Sequence, residues 1–307
     1  MKPSLASLSH LKAINATAAS WILAGFLSAI MLGITAVQTR AGCNPADRID
    51  AQCYPDLQTA TAAALAANQP LWLPAGTYTL NQELVIDYAP LAATGFQIIS
   101  DGAIIDAAAI PTGPAVAVQC SGGTPTNPKG CFYFHIQGTL FVNANTTGSG
   151  VRVGLNDFSD AQNSIKIDHL VVNNGNQSAV AAVRLNYVLN ASIFVVADSA
   201  GGTGMLLNQT QFSTIQGAAS ATGGTAMSIS QGYTFANTFQ ALDLEVAQTC
   251  LSITSPYAKG NTFVSPYFNC PTPIFATAGN SNMLMNPSYG AAQAPAPGSQ
   301  TGILTFP

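Results

Sequence analysis

Two carboxylates and two further polar side chains show the same spacing late in the chain. Asp243 and Glu245 lie two residues apart, and Tyr267 and Asn269 follow with the same separation. In an extended strand alternate side chains share a face. General acid–base cleavage of a glycosidic bond uses two carboxylates of different pKa, while an aromatic ring and an amide can hold a sugar. The pattern indicates a catalytic acid pair with two substrate-binding residues, or simply the solvated face of a strand.

A second group of charged residues follows the sequence NDFSD at 156–160. It consists of Lys166, Asp168 and His169, with Arg184 interrupting the apolar stretch AAVRLN. A lyase needs a basic side chain to remove the proton next to a uronate carboxylate, and calcium or another cation to neutralise that carboxylate. Asp168, His169 and Arg184 are therefore the alternative catalytic group, with Lys166 as a substrate contact. Calcium is expected only for a lyase, and a surface ion pair is the simpler explanation for Arg184.

The elements that must position these residues recur along the chain. Short strands rich in Val, Ile, Phe and Thr are separated by Gly, Asn, Ser and Pro, and an Asn or its replacement returns at steps of about 21 to 28 residues. Such a period is typical of stacked repeats. The recurring positions are assigned to Asn163, Asn190 or Ala191, Ser213, Asn237, Asn261 and Asn282. The apolar residues two places further on are expected in the interior: Ile165, Ile193, Ile215, Phe239, Phe263 and Leu284.

Strands this short suit the turns of a solenoid, in which each strand pairs with its equivalents one turn away. An Asn at a tight bend tolerates left-handed backbone geometry and can bond to the amide of the next turn, which forms a ladder. Counting six residues from the assigned ladder positions places His169, Asp243 and Tyr267 in one outward column. Glu245 and Asn269 are expected beside it.

The start of the repeat region resembles a known superfamily. The segment YPDLQTATAAALAANQPLWLPAGTYTLNQELVI (54–86) contains an Ala-rich helix, a strand, Pro-Ala-Gly-Thr-Tyr and another strand, and GFQIISDGAIIDA (95–107) follows it. It resembles the opening of the pectin-lyase-like superfamily. The resemblance implies an all-β, right-handed parallel β-helix with a short N-terminal capping helix, which covers the otherwise open first turn.

The resemblance also implies a class of ligand. Members of this superfamily include polysaccharide lyases, glycoside hydrolases, phage tailspikes and adhesins, and most bind glycans on an outward side of the helix. We expect a protein that binds polysaccharide and is either a hydrolase or a lyase if it is an enzyme. The alternatives are a non-catalytic surface or matrix protein and a tailspike-like receptor-binding protein, for which a homotrimer is one assembly. The polygalacturonase and pectate-lyase motif sets are not found in the sequence.

Charge narrows the range of partners. Charged residues make up only 7% of the chain, and the net charge is −4. Removal of residues 1–41 leaves six basic residues against 13 acidic ones, a net charge of −7. Scattered basic residues in an acidic protein do not suit nucleic acid or an anionic membrane. A polysaccharide or cell-surface glycan fits better.

The N-terminus and the cysteines both favour export. Trp21 to Val37 is almost entirely apolar, which predicts that 1–41 is a signal peptide or, if uncleaved, a membrane anchor. The remainder is expected to be one β-helix domain, 42–290, with a flexible C-terminal tail, 291–307. An even number of cysteines in an exported chain favours disulfides, and the protein is therefore expected to be secreted or on the cell surface. The expected local pairs are Cys43 with Cys53, Cys120 with Cys131, and Cys250 with Cys270.

Overall fold

The chain winds as a continuous series of short parallel strands. The computed structural model describes residues 47–290 and 302–306, which belong to a compact unit running from Gly42 to Pro307. All pairings between the described strands are parallel, and most strands pair with their equivalents one turn before and after. The predicted all-β parallel β-helix is confirmed. The predicted leader or anchor, 1–41, lies outside the described residues.

The strands are numbered in chain order. They are β1 (Ile49–Asp50), β2 (Leu71–Leu73), β3 (Thr77–Thr79), β4 (Leu84–Asp87), β5 (Phe96–Ala107), β6 (Val116–Gln119), β7 (Lys129–Phe132), β8 (Phe134–Ala144), β9 (Ser149–Val153), β10 (Asp160–Asn163), β11 (Lys166–Asn174), β12 (Ala181–Asn186), β13 (Val188–Leu189), β14 (Ser192–Ser199), β15 (Thr203–Asn208), β16 (Thr214–Gln231), β17 (Thr238–Ile253), β18 (Thr262–Val264), β19 (Tyr267–Asn269), β20 (Thr272–Ala276), β21 (Asn282–Met285), β22 (Ser288–Tyr289) and β23 (Ile303–Phe306).

These strands form three faces, which we call A, B and C. Face A contains β1, β2, β18, β21 and β23, and face B contains β3, β19 and β22. The long strands β5, β8, β11 and β14 run through face A and then face B. Face C contains β4, β6, β9, β12, β15 and β20, and β16 and β17 pass through all three faces. The short strands β7, β10 and β13 fill the corner between faces C and A.

Within the described residues one α-helix, α1 (Leu57–Ala67), precedes the first turn. Asp56 caps its start by accepting a hydrogen bond from Thr59 N at 2.7 Å, and Asn68 ends it in the left-handed conformation. Its buried side chains face the interior of the first turn. The Gln58 side chain accepts a hydrogen bond from Val85 N at 3.2 Å and so pairs part of the edge of β4. The helix therefore covers an end that would otherwise expose apolar side chains and unpaired backbone groups.

The amide ladder is present and buried. Asn261 Nδ2 donates to Asn282 Oδ1 at 2.8 Å, and Asn261 Oδ1 accepts from Asn237 Nδ2 at 2.9 Å. Ser213 continues the ladder, since its backbone N–H donates to Asn237 Oδ1 at 3.0 Å. The left-handed residue at this corner is the one before the ladder position, such as Ala236 at φ 55°. The amide therefore acts as a buried bridge between turns, and its neighbour makes the bend.

The assignment of Asn163 to this ladder is wrong. The strand register aligns Asn163 with Leu189, and Ile167 with Ile193, which places Ile165 level with Ala191. The six residues predicted to be interior are all buried, but in this turn Ile167 is the equivalent of the others. The count from Asn163 is thus two residues short. An Asn at the surface corner resembles the ladder Asn in sequence because both stand near a left-handed residue.

The interior is filled by the alternate, inward-facing apolar residues of the strands. Phe239 and Phe263 stack with ring centroids 4.5 Å apart. Disulfides join Cys120 to Cys131 and Cys250 to Cys270, as predicted. Cys43 lies outside the described residues, so the pairing of Cys43 with Cys53 stays a prediction.

Part of the segment expected as a tail takes part in the strand stack. Within 291–307 the structure describes residues 302–306, and β23 pairs in parallel with β21. The last described strand of face A therefore comes from beyond residue 290.

We expect Asn261→Ala to lower the free energy of unfolding by about 3 kcal/mol, because it removes the side-chain hydrogen bonds to Asn282 and Thr234 and leaves the backbone N–H and one side-chain N–H of the buried Asn237 without their acceptor. Urea unfolding followed by circular dichroism measures the change. The control is Gln240→Ala, which breaks an exposed amide pair with Gln216 and should cost less than about 0.5 kcal/mol. Equal losses in the two variants would contradict a structural role for the buried ladder.

Candidate functional site

Face B presents two outward columns of side chains along the axis of the β-helix. The first is mainly apolar and contains Ile104, Phe141, Val171, Val196, Ala218, Asp243 and Tyr267. The second is polar and contains Asp106, Asn143, Asn173, Asp198, Ser220, Glu245 and Asn269. Neighbouring members of a column lie about 4.8 Å apart, the spacing of paired strands. A carboxylate at Asp243 therefore interrupts an apolar column.

Asp243 is half-buried between Ala218 of the preceding turn and Tyr267 of the following one. Its Oδ1 is buried and has no hydrogen-bond partner. Burial raises the pKa of Asp243, and repulsion from the Glu245 carboxylate raises that pKa further. The environment of Asp243 thus shifts its pKa in the direction that a general acid requires.

Glu245, Tyr267 and Asn269 lie around Asp243 as the spacing predicts. Leu242 and Leu244 point into the core, which turns Asp243 and Glu245 outward on one face of β17. The register aligns Asp243 with Tyr267 and Glu245 with Asn269. These four side chains form a square on two neighbouring turns.

A depression of about 400 Å³ adjoins the acid pair. It is lined by Phe194, Val196, Gln216, Gly217, Ala218, Gln240 and Ala241. Gly217 has φ 119°, and any side chain there would collide with the Val195 carbonyl oxygen, so the chain makes its close bend with glycine. Asp243 is the in-register neighbour of Ala218 and therefore stands at the border of the depression. Sequence reasoning missed the depression, because the pairing of these residues across turns is not visible in one repeat.

His169 does not belong to the Asp243 column. The residue of β11 in that column is Val171, and His169 aligns with Thr139. The prediction that His169 shares the column of Asp243 is wrong because it counted six residues from Asn163, which is not a ladder position. His169 Nδ1 lies 3.3 Å from Thr139 Oγ1, and its ring makes an edge contact with Phe194 at 5.0 Å. It therefore lies one side chain away from the depression, on the side opposite Asp243.

Asp168 and Lys166 form a separate group with His135. Lys166 Nζ lies 3.1 Å from Asp168 Oδ1, and His135 Nε2 lies 3.3 Å from the same oxygen. Burial opposes ionisation of Asp168, but hydrogen bonds from Lys166, Gly138 N and His135 outweigh it and lower the pKa of Asp168. A carboxylate that stays ionised can orient His135. The sequence alone does not indicate this contact, since Asp168 lies one turn away from His135.

A second depression, of about 470 Å³, lies beside this group on face A. His135, Lys166, Gln97 and the exposed Tyr133 are among its lining residues. It is open, has both polar and apolar lining residues, and lies close to the end of α1. Hydrogen-bonding side chains next to an exposed aromatic ring suit a polar ligand such as a sugar.

Arg184 does not join Asp168 and His169. It lies on face C, in register with Arg152, and its Nε donates to Asn186 Oδ1 at 3.1 Å. The expected ion pair of Arg184 with an aspartate is therefore not formed among the described residues. The four residues proposed as a lyase group are divided between two faces, because a turn of this solenoid places residues close in sequence on different faces.

Among residues 47–290 and 302–306 no three His, Cys, Asp or Glu side chains are grouped as metal ligands would be. The calcium expected for a lyase stays a prediction. In the same described ranges no helix has the length and apolar content needed to cross a membrane.

Similarity to known proteins is limited to the fold. No protein-family model matches the sequence, and no curated protein sequence matches it. The chain is similar to the pectate lyase Pel9A at 12% identity and a TM-score of 0.47, covering 78% of this chain and 74% of the lyase. It is similar to ORF18 of Geobacillus virus E2 at 9% identity and a TM-score of 0.49, covering 84% of this chain and 61% of the viral protein. It is also similar to PfbA, a surface adhesin of Streptococcus pneumoniae, at 9% identity and a TM-score of 0.31, covering 80% of this chain and 79% of the adhesin.

We expect Asp243→Asn to raise the melting temperature at neutral pH. The folded state raises the pKa of Asp243 above its unfolded value. Ionisation therefore costs stability once the pH exceeds the unfolded pKa of about 3.9, and the cost grows up to the folded pKa. Thermal unfolding at pH 3 and pH 7 should show a gain for Asp243→Asn only at pH 7.

The matched control is Asp198→Asn, since Asp198 lies on the same face but accepts a hydrogen bond from Ser220 Oγ at 2.7 Å. Asp198→Asn should not raise the melting temperature at pH 7. A lower melting temperature for Asp243→Asn at pH 7 would contradict the assigned environment of Asp243.

Proposed function

We propose that this protein is an exported polysaccharide-binding β-helix that hydrolyses glycosidic bonds with Asp243 and Glu245. The observation that carries the proposal is a half-buried carboxyl of raised pKa next to a second carboxylate at the border of a depression. Secretion or display at the cell surface is proposed from the apolar N-terminal segment, and the two disulfides are consistent with an extracellular protein.

The reaction assigns a different role to each carboxyl group. The protonated Asp243 donates its proton to the glycosidic oxygen as the bond from that oxygen to the anomeric carbon breaks. The Glu245 carboxylate takes a proton from a water molecule, whose oxygen bonds to the anomeric carbon. Exchange with solvent then returns a proton to Asp243 and removes one from Glu245. Both products leave with complete hydroxyl groups.

The spacing on β17 suits a mechanism with water between the two groups. Residues two apart on a strand have Cα atoms about 6.6 Å apart. Inverting glycosidases hold their carboxyl groups about 6.5–9.5 Å apart, which leaves room for the attacking water molecule. An apolar neighbourhood around the acid, as at Asp243, is how such enzymes keep one carboxyl protonated at moderate pH.

The surrounding side chains supply substrate contacts. Tyr267 offers a ring and Asn269 an amide beside the acid pair, while Phe194, Gln216 and Gln240 offer a ring and two amides in the depression. Sugars combine apolar C–H faces with hydroxyl groups, so aromatic and amide side chains are complementary to them. Lys166 and His135, beside the larger depression, provide a second place for sugar hydroxyl groups.

The test is a panel of neutral and uronate-containing glycans incubated with the purified protein, with release of reducing ends as the readout. Asp243→Asn and Glu245→Gln should each lower kcat at least about 100-fold, the usual contribution of general acid–base catalysis. Tyr267→Ala should mainly raise KM. Activity should fall as the pH rises through the pKa of Asp243, because the protonated form is the donor.

Asp101→Asn is the matched control, because Asp101 lies on another face and bonds to Trp72 Nε1. It should retain full activity. Binding without turnover on every glycan would overturn the hydrolytic assignment and favour the adhesin-like alternative. Unsaturated products, seen by ultraviolet absorbance, would instead indicate a lyase.

A further inference from the structure

Two arginines lie next to each other on face C. Arg152 of β9 and Arg184 of β12 are in-register partners on adjacent parallel strands. Both side chains are half-buried and extend from the outward side of the face, because Val151, Val153, Val183 and Leu185 occupy the interior. Like charges directly opposite each other on paired strands are destabilising. The repulsion between the two guanidinium groups therefore has to be offset by a negatively charged or hydrogen-bonding group.

The described part of the chain does not supply a counter-charge at close range. In it, no carboxylate oxygen lies within the 4.0 Å of an ion pair from either guanidinium group. Arg152 Nη2 donates to Gln119 Oε1 at 2.7 Å, and Arg184 Nε donates to Asn186 Oδ1 at 3.1 Å. Both acceptors are neutral amides. The charge of the pair is thus held by hydrogen bonds but not neutralised.

Three acids are attracted by Arg152 without forming an ion pair with it: Glu83, Asp157 and Asp160. Asp157 Oδ1 accepts a hydrogen bond from Ser159 N at 3.1 Å. Asp160 is fully buried, and its oxygens accept hydrogen bonds from Leu155 N and Cys120 N at 2.6 and 2.9 Å. The attraction of Arg152 to these acids therefore acts at longer range than a direct contact.

The two guanidinium groups retain donors for a ligand. Arg152 Nε is buried and has no hydrogen-bond partner. Burial lowers the pKa of Arg184, and repulsion from Arg152 lowers it further. An unpaired buried donor costs free energy, and an oxyanion would remove that cost and the repulsion together. Along the column the in-register neighbours of the pair are Ala117 and Leu206, so no other charged side chain stands in register beside it.

We infer that Arg152 and Arg184 form an oxyanion-binding site for the carboxylate or sulfate groups of an acidic polysaccharide. The planar fork of each guanidinium matches such groups, and two arginines on strands about 4.8 Å apart can hold one anion between them or two along a chain. The site lies on face C and is independent of the acid pair on face B. It goes beyond the proposed hydrolysis, since it operates whether or not Asp243 and Glu245 are catalytic.

The first measurement is thermal unfolding in sodium sulfate and in sodium chloride of equal ionic strength. Sulfate should raise the melting temperature of the wild type above its value in chloride, because a ligand of the native state stabilises it. The double variant Arg152→Gln/Arg184→Gln should lose this difference. In chloride alone the double variant should be at least as stable as the wild type, since it lacks the repulsion. Loss of folding in the variant would appear there and would not be mistaken for loss of binding.

The matched control is Arg48→Gln/Lys259→Gln, which removes the same charge elsewhere. Arg48 stacks on Trp72, and Lys259 lies near Phe235, so neither belongs to the pair. This control should keep the sulfate effect. An equal sulfate effect in all three proteins, or none in the wild type, would overturn the inference.

Affinity electrophoresis then distinguishes the two sources of the anion. Gels containing polygalacturonate, dextran sulfate or neutral dextran are compared. Retardation by polygalacturonate assigns the site to uronate carboxylates, and retardation by dextran sulfate alone assigns it to sulfate esters. The double variant should bind at least about tenfold more weakly, while Asp243→Asn should bind as the wild type does. Unchanged mobility in both anionic gels would exclude a polysaccharide ligand for the pair.

Discussion

The in-register stacking of parallel strands is the constraint on which the rest of the structure depends. Each backbone turn bonds to the turns on either side, and short strands that could not form a sheet alone are stable only in the stack. The buried ladder of Asn237, Asn261 and Asn282 fixes one corner of that stack. A shift of one residue would move these amides out of contact and turn the apolar side chains outward.

The same constraint determines the chemistry of the surface. Equivalent positions of neighbouring turns are brought to about 4.8 Å, so the environment of a side chain is set mainly by its column. Asp243 has an unusual environment because its column is otherwise apolar, whereas Asp198 lies in a polar column and bonds to Ser220. Arg152 and Arg184 lie close for the same reason. Departures from the pattern of a column mark the places where this protein can act on a ligand.

Each strand contributes side chains both to the core and to the surface, and the two sets have different roles. Leu242 and Leu244 fill the core, while Asp243 and Glu245, alternating with them, face outward. Substitution of the outward residues therefore leaves the packing of the turn intact. A rigid stack with replaceable outward side chains can place catalytic groups on one face and an anion-binding pair on another, without either site disturbing the other.

The sequence by itself determined the architecture and one cluster. The recurring Asn, the short apolar strands and the opening motif predicted a parallel β-helix with a capping helix, and the spacing of Asp243, Glu245, Tyr267 and Asn269 predicted their alignment, because the period of about 24 residues is regular in that region. Local spacing suffices wherever neighbouring turns have equal length.

Only the tertiary structure decided the rest. His169 was placed two residues out of register, since a surface Asn163 resembles a ladder Asn in sequence, and Arg184 proved to lie on a different face from Asp168. His135, the depression beside Ala218 and the arginine pair were equally invisible. Each depends on contacts between residues about 20 to 40 positions apart, and such contacts are fixed by the lengths of the intervening corners, for which one sequence carries no regular signal.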